Sequence, residues 1–541
     1  MSIREMSSNI QVVGDSAASV VKSTMSLINH IPGSAIVVRY IASSYQNDPI
    51  RSLLELVLFG YALYTILKQR TRDGASNSNF VQLSEEEIGY LIAEFDPDPL
   101  VEPLSADEQH DLESIPVTVG GASSHPEVIS TKMVGTKPRC VLNLASFNFT
   151  GMVEEPTIRN KAIEVLREYG VGSCSPPGFY GTSDMHIRLE RSIAEFLGME
   201  NAIVYSQGFS TISGVIPAFC KRGDIIVADT GINFAAQKGL QLSRSTVYWY
   251  DHNNMESLEL VLQHVCETHN VAGATLQRRF IVTEGVFEND GAISDLRKIV
   301  ELKKRFKFRL FLDESYSIGT LGATGRGLTE AQGVDAKDIE FIIGNLATSF
   351  GAAGGFCASS KHAVHHQRIN GLSFVFSAAM PVMCVVGANE AMNKVEHEPE
   401  RLERLAENVR LLRSVLDGIH SIHIPSAPES PLVHIQVRSK YEPHPSETKY
   451  RAVPSQTTGH DLLPKEQNRL LQEIVDLSLD HGILLTRSRR LASINAKVLE
   501  TGVEARPSIR IAMSSQLMPD EVLQAADIIR ANIVRVLGGR R

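Results

Sequence analysis

The sequence predicts an α/β protein built on a parallel sheet, and three observations carry the prediction. First, Leu310–Leu312 is a short apolar run, as a strand buried on both faces requires, and it stops abruptly at Asp313-Glu314. A carboxylate at the carboxyl end of such a strand sits where open α/β sheets bind ligands. Second, Gly319, Gly322, Gly325 and Gly327 follow, spaced for a turning loop of close approach. Third, Phe341–Gly344 reads as another strand, ending in Ala347-Thr348-Ser349 and then Gly351, Gly354 and Gly355. By spacing alone these two strand ends are either a cofactor cradle or the ordinary strand ends of any α/β enzyme.

Composition narrows the class. The chain has 541 residues, 43% apolar and 21% charged, enough for a large core and two or more domains. A net charge of −9 without a basic patch excludes a nucleic-acid binder. The six cysteines (Cys140, Cys174, Cys220, Cys266, Cys357, Cys384) are scattered, with no CxxC or Cys/His ligand spacing. That argues against a metal site and fits a reducing compartment.

Taken in order, the amino-terminal residues carry no leader of basic and apolar type. Leu53–Leu67, LLELVLFGYALYTIL, is apolar except for Glu55, with Arg51 before it and Lys68, Arg70 and Arg72 after it. We read a single membrane helix over residues 50–68, with the basic flank placing the main body in the cytosol. The alternative is a buried core or partner-binding helix, because fifteen helical residues reach about 22 Å against roughly 30 Å of hydrocarbon. Ala35–Ala42 is too short to span and would lie in the interface. Ser84 and Glu87 form a capping box ahead of a short helix with Ile88, Leu91, Ile92 and Phe95 on one face. Asp96–Glu113 is acidic and proline-rich, a surface linker, and Gly120–His125 is a further loop.

The body begins at Cys140–Phe149, CVLNLASFNF, read as a strand entering the sheet. Tyr169–Glu190, YGVGSCSPPGFYGTSDMHIRLE, holds four glycines and two prolines and is a fixed loop. Strands follow at Ala202–Ser206, Ile225–Asp229 and Phe280–Glu284. The turn Gln207-Gly208-Phe209 after the first of these offers backbone N–H groups at a helix start. Phe374–Pro381 reads FVFSAAMP. Met383–Leu416 is helical by pattern, Lys440–Leu463 a polar insertion, Lys465–His481 and Asp520–Leu537 helices. Val433–Val437, Ile483–Thr486 and Ser508–Ala512 are strands.

These segments together resemble the α-oxoamine synthases, pyridoxal-phosphate enzymes that join an amino acid to an acyl-CoA with loss of CO₂. The match rests on Asp313-Glu314-Ser315-Tyr316-Ser317 with Gly325-Arg326-Gly327, on Asn345–Gly351, on Asn148-Phe149, on Gly181-Thr182 with His186, Leu189 and Glu190, and on Glu284-Gly285-Val286-Phe287. It covers residues 140–540. The resemblance implies a fold-type-I pyridoxal-phosphate-dependent transferase: α/β, with a mainly parallel seven-stranded sheet in a large domain (140–385) and a small α+β domain (386–541). Ahead of these come a membrane-associated segment (1–82) and an acidic linker and arm (83–139).

The departures decide what the resemblance implies about function. The Schiff-base lysine position holds Thr348, the ring-stacking histidine is Asn233, and the substrate-touching histidine is Tyr316; only the pyridine-pairing Asp313 survives. A hydroxyl can neither form an imine nor act as the amine base. The chain therefore resembles the non-catalytic, regulatory subunit of a heteromeric member that condenses L-serine with palmitoyl-CoA to 3-ketosphinganine. Its partner would be a lysine-bearing catalytic homologue holding the pyridoxal phosphate. The setting would be the endoplasmic reticulum membrane, with small regulatory membrane subunits.

By the same resemblance Asn148, Cys174, Phe179 and Tyr180 face the partner's active site, and Ser377 or Ala378 reaches the partner's cofactor phosphate. For Cys174 the alternative is a buried small hydrophobe; for Ser377 it is a helix N-cap. Arg510 fits a carboxylate-binding slot or a structural ion pair. Two rival readings remain: an autonomous enzyme using a displaced lysine, with Lys337 and Lys361 the nearest, and a membrane scaffold with no part in the site.

Overall fold

The computed structural model describes residues 48–77, 84–97, 103–113, 115–130, 137–269, 277–439, 460–488 and 505–538, with isolated positions between 36 and 46. The polar insertion at 440–459 and most of the 35–42 run lie outside the described residues. The chain divides into two units, Met1–Val101 and Glu102–Arg541.

In the first unit the expected helix forms and runs longer than its apolar stretch, over Pro49–Asn77. Leu54, Val57, Phe59, Tyr61 and Leu63 are exposed around its circumference. Among the described residues no helix is long and apolar enough to cross a membrane, so the spanning reading is not met. The physical reason is length: the apolar run is interrupted by Glu55 and ends after about four turns. The Ser84 capping box is present. Ser84 N and Oγ donate to Glu87 Oε2 at 2.7 and 2.9 Å, and Glu87 N donates back to Ser84 Oγ at 3.3 Å. The helix it starts, Glu85–Glu94, leaves Ile88, Leu91, Ile92 and Phe95 exposed.

The second unit starts with more structure than a linker. A helix covers Ala106–Glu113, and Asp111 pairs with Arg487. Strands β1 (Val117–Val119), β2 (Glu127–Ile129) and β3 (Arg139–Cys140) form a small antiparallel sheet. β4 (Leu142–Asn143) follows, so the 140–149 segment does not enter the large sheet as read from sequence. Two residues are enough to pair with only a short neighbour, and the chain then turns at Ser146–Asn148.

The large sheet has seven strands: β5 (Asn201–Tyr205), β6 (Ile225–Asp229), β7 (Thr246–Tyr250), β8 (Arg279–Glu284), β9 (Arg309–Asp313), β10 (Phe341–Asn345) and β11 (Gly355–Ser359). Their order is β5-β11-β10-β9-β8-β6-β7. All pairings are parallel except those of β11, which runs against both β10 and β5. The mainly parallel seven-stranded sheet is therefore as expected. β7 was absent from the sequence reading, although its TVYWY composition is typical of a strand.

The strands read as unbroken apolar runs because helices cover both faces. Ile225, Val227, Ile281, Leu310, Leu312 and Ile342 face one core cluster, packed by Leu189 and Ile193 of helix Asp184–Leu197 and by Leu296 and Ile299 of helix Leu296–Phe306. Ile226, Ala228, Phe280, Val282, Phe311, Phe341 and Ile343 face the other, packed by Ile212 and Val215 of helix Gly208–Phe219 and Leu240 of helix Phe234–Ser243. The period of two is intact; only its polar half is missing.

In the carboxyl-terminal part β12 (Ile422–His423), β13 (Leu432–Val437), β15 (Thr486–Arg487) and β16 (Ile509–Ala512) form an antiparallel sheet, ordered β12-β13-β16-β15. The expected strand 483–486 is split. Its first half, β14 (Ile483–Leu484), pairs in parallel with β4. The expected helix 383–416 is two, Val382–His397 and Glu400–Leu416, broken at Glu398-Pro399. Proline lacks the N–H a continuous helix needs and disfavours helical backbone before it. The boundary expected at 385/386 falls inside the first of these helices, and one core cluster runs from Leu144 to Leu537.

Candidate functional site

The carboxyl ends of β6, β8, β9 and β10 bring Asp229, Glu284, Asp313 and the 345–349 turn to one end of the sheet. Asp313 is only 2% exposed and already fully engaged. Its Oδ1 accepts from Ser315 N at 3.0 Å, and its Oδ2 accepts from Asn233 Nδ2 at 2.8 Å. Asn233 also caps helix Phe234–Ser243, its Oδ1 accepting from Ala236 N at 2.9 Å. Its backbone N–H donates to Glu284 Oε1 at 2.6 Å. One asparagine thus joins two buried carboxyls to a helix start.

Burial pushes the Asp313 carboxyl above its ordinary range, with the Ser315 and Asn233 bonds opposing. Burial, with the Asp313 and Glu288 charges added, pushes Glu284 far higher, so it keeps its proton where a free glutamate would lose it.

Tyr316 is buried beside this cluster, its ring centroid 5.2 Å from that of Phe147. Its hydroxyl lies close enough to Glu288 for the two groups to interact electrostatically. Arg510 lies 4.3 Å over the Phe147 ring and 3.9 Å from Glu288 Oε1, which favours the structural ion pair between its two readings. Thr348 is 3% exposed, and its hydroxyl donates to Ser315 O at 2.8 Å. These side chains include no primary amine.

Glu314 fixes the glycine loop. It is fully buried, accepts from Leu328 N at 2.9 Å and from the Ser317 hydroxyl, and is pushed up to about 7 by burial. Gly327 (φ +85°) has to be glycine: a Cβ there would sit 2.5 Å from Glu314 Oε2. A carboxyl whose folded value is raised stabilises fully below its unfolded value, near 4.5, and progressively less as pH rises toward about 7. Glu314→Gln is therefore expected to reduce the loss of stability between pH 4.5 and 7, read as urea midpoints at pH 5 and 7.5. An unchanged slope would show that Glu314 is not held in this way.

The glycine-rich loop lies against the segment before helix Val382–His397. Ser173 Oγ donates to Ala379 O at 2.7 Å, Ala379 N to Ser175 O at 3.0 Å, and a His186 Nε2–Met380 O contact measures 2.8 Å. Cys174 (φ +58°) and Tyr180 (φ +70°) adopt left-handed backbone, and both are exposed, as is Phe179. The buried-hydrophobe reading of Cys174 is therefore wrong. Leu372, Phe376 and Ala378 are exposed beside them. Ser377 is half-buried, its hydroxyl 3.2 Å from that of Ser206 at the start of the Gln207-Gly208 turn. It is not an N-cap: Pro381 holds that position. Asn148 is buried, with its Nδ2 without a hydrogen-bond partner among the described residues.

The model of aminotransferase class I and II matches residues 139–529. The chain belongs to this family. Within it, the chain is 33% identical to "Serine palmitoyltransferase 1" of Saccharomyces cerevisiae, over 94% of this chain and 93% of that one. It is 39% identical to "Long chain base biosynthesis protein 1c" of Oryza sativa subsp. japonica, over 71% and 77%. The fold matches a solved "structure of SPT with PLP internal aldimine" at a TM-score of 0.65, 20% identity, covering 84% of this chain and 99% of that one. The chain thus groups, within the aminotransferase family, with relatives named serine palmitoyltransferase 1 and long chain base biosynthesis protein 1.

The family fold implies pyridoxal phosphate, but the residues of this family member do not fit it. Asp313 is taken by Asn233, Tyr316 is buried against Phe147, and Thr348 offers a hydroxyl already spent on Ser315 O. One feature of this end of the sheet was missed in sequence. His252, just after β7, bridges Asp229 Oδ1 at 2.7 Å and Asp290 Oδ2 at 2.9 Å. Burial opposes its charge, but the two carboxylates outweigh burial and raise it well above the ordinary histidine value. Recognising β7 would have placed His252 at a strand end.

Proposed function

We propose that this chain is the non-catalytic, regulatory and structural subunit of a serine palmitoyltransferase, condensing L-serine with palmitoyl-CoA to 3-ketosphinganine together with a lysine-bearing homologue. The observation that carries the reading is Thr348, whose buried hydroxyl closes onto Ser315 O where the family resemblance places the reactive lysine. The displaced-lysine alternative is disfavoured by register. Phe341 pairs with Ser359 and Asn345 with Gly355, so Lys361 follows β11 at the end of the sheet remote from Asp313. Lys337 precedes β10 and lies at that same remote end. At roughly 3.3 Å per residue, the four steps from Phe341 to Asn345 put about 13 Å of strand between that end and the turn that carries Thr348, beyond the reach of a lysine side chain.

The partner would hold the pyridoxal phosphate. This chain would complete the shared site through the exposed face of Cys174, Phe179, Tyr180, Phe376, Ser377 and Ala378, an apolar surface that the chain leaves uncovered. The exposed apolar helix 49–77 supports attachment to the endoplasmic reticulum membrane and docking of small membrane subunits, with the main body in the cytosol.

The test is to purify the chain alone and with its lysine-bearing homologue, reduce with borohydride in the presence of pyridoxal phosphate, and locate the label by mass spectrometry. The expected result is label on the homologue alone and 3-ketosphinganine only from the pair. Label on this chain would overturn the reading. A second arm separates it from a pure scaffold. Tyr180→Ala and Ser377→Ala are expected to lower turnover on the order of tenfold to a hundredfold at normal complex levels, because small displacements of a shared site are costly. Unchanged turnover would favour the scaffold.

A further inference from the structure

A bowl of about 500 Å³ opens at the end of the large sheet opposite Asp313, where β8, β9 and β10 begin and β11 finishes. That volume is typical of small-molecule sites. Its floor is aromatic. The Phe219 ring lies 4.4 Å from that of Phe341, and Phe311 stacks on Phe341 at 4.5 Å and lies 5.0 Å from Phe280.

Of its two acids, Glu340 is neutralised inside the fold, while Glu200 is exposed and keeps its charge. Glu340 is held by Lys303 Nζ at 2.7 Å and by Leu310 N at 2.7 Å. Glu200 accepts from Lys361 N at 3.0 Å, and Arg278 is paired with Asp224 at 3.0 Å. Two permanent cations of the rim are left over. Arg309 and Lys337 make no ion pair among the described residues and are exposed; the Arg309 guanidinium lies 5.8 Å from the Phe280 ring centroid. With Arg309 and Lys337 against the single unpaired acid Glu200, the rim is net positive; a concave surface with such a rim and an apolar floor suits a ligand that is anionic at one end and apolar at the other.

We propose that this bowl binds a phosphate monoester carried on an aromatic or aliphatic body, with Arg309 and Lys337 holding the phosphate and Phe219 and Phe280 receiving the body. The proposal does not depend on the subunit role: it uses the other end of the sheet and none of the residues assigned there.

The test titrates the detergent-solubilised full chain with phenyl phosphate by calorimetry, beside phenol and inorganic phosphate. Phenyl phosphate is expected to bind at least about tenfold more tightly than either fragment, since two favourable contacts combine in one ligand. Arg309→Gln with Lys337→Gln, both surface changes, is expected to weaken it at least about tenfold with an unchanged melting temperature. Equal binding by inorganic phosphate, or equal heats from the double variant, would overturn the proposal. A second arm distinguishes the ligand's source, using vesicles of phosphatidylcholine with and without phosphatidic acid. Phosphatidic-acid-dependent sedimentation lost in the double variant assigns a lipid headgroup. Sedimentation equal in both proteins, with phenyl phosphate binding confirmed, assigns a free organic phosphate.

Discussion

Thr348→Lys in the isolated chain is expected to leave pyridoxal phosphate untrapped by borohydride, even though the substitution restores the amine. The amine is only one of the missing parts. Asp313, the carboxylate that would pair with the pyridine nitrogen, is bonded at 2.8 Å to the Asn233 amide, and Tyr316 is buried against Phe147. The new side chain would also strip Ser315 O of the Thr348 hydroxyl and bring a cation into a buried turn, at a cost of about 1–3 kcal/mol for the lost buried bond alone. The expected gain comes only from Thr348→Lys combined with Asn233→His and Tyr316→His. Borohydride capture and a mass shift on this chain measure it. Capture by the single variant would mean that the closed arrangement of Asn233, Asp313 and Tyr316 opens readily and is no barrier.

Asn233→Asp is expected to be the most damaging isosteric change at this end of the sheet. It removes the amide that donates to Asp313 and places a third carboxyl beside Asp313 and Glu284, all buried. Leaving buried charge without a partner typically costs about 3–5 kcal/mol. The effect has a definite pH sign. Asp313 and Glu284 both have raised folded values, so their contribution is full below their unfolded range near pH 4 and falls as pH rises. The variant's deficit should therefore be smallest in mild acid and grow toward neutrality. Urea midpoints for wild type and variant at pH 5 and 7.5 measure this; a deficit independent of pH would show that repulsion among the three carboxyls is not its cause.

Much of the architecture was written locally. Apolar runs ending in acid marked β6, β8 and β9, because a strand buried on both faces can contain little else. The capping box at Ser84–Glu87 depended only on residues three apart and formed as read. The glycine loop after Asp313 was legible because Gly327 has no room for a Cβ. Errors fell where a local pattern had two solutions. The 383–416 stretch broke at Pro399, the 140–149 segment paired outside the large sheet, and the apolar helix at 49–77 was too short in its apolar part to span.

By itself the sequence determined most strands of the large sheet, the family resemblance and the hydroxyl that Thr348 carries in place of an amine, since each is a matter of residue type at a fixed place in a repeating backbone. The tertiary structure decided what fills the site. It set the Asn233 amide on Asp313 across eighty residues, turned Cys174 and Tyr180 outward, and tied Glu340 to Lys303 while leaving Arg309 and Lys337 without an ion pair among the described residues. Those are meetings of distant segments, and their partners are selected by packing and burial, which no local periodicity encodes.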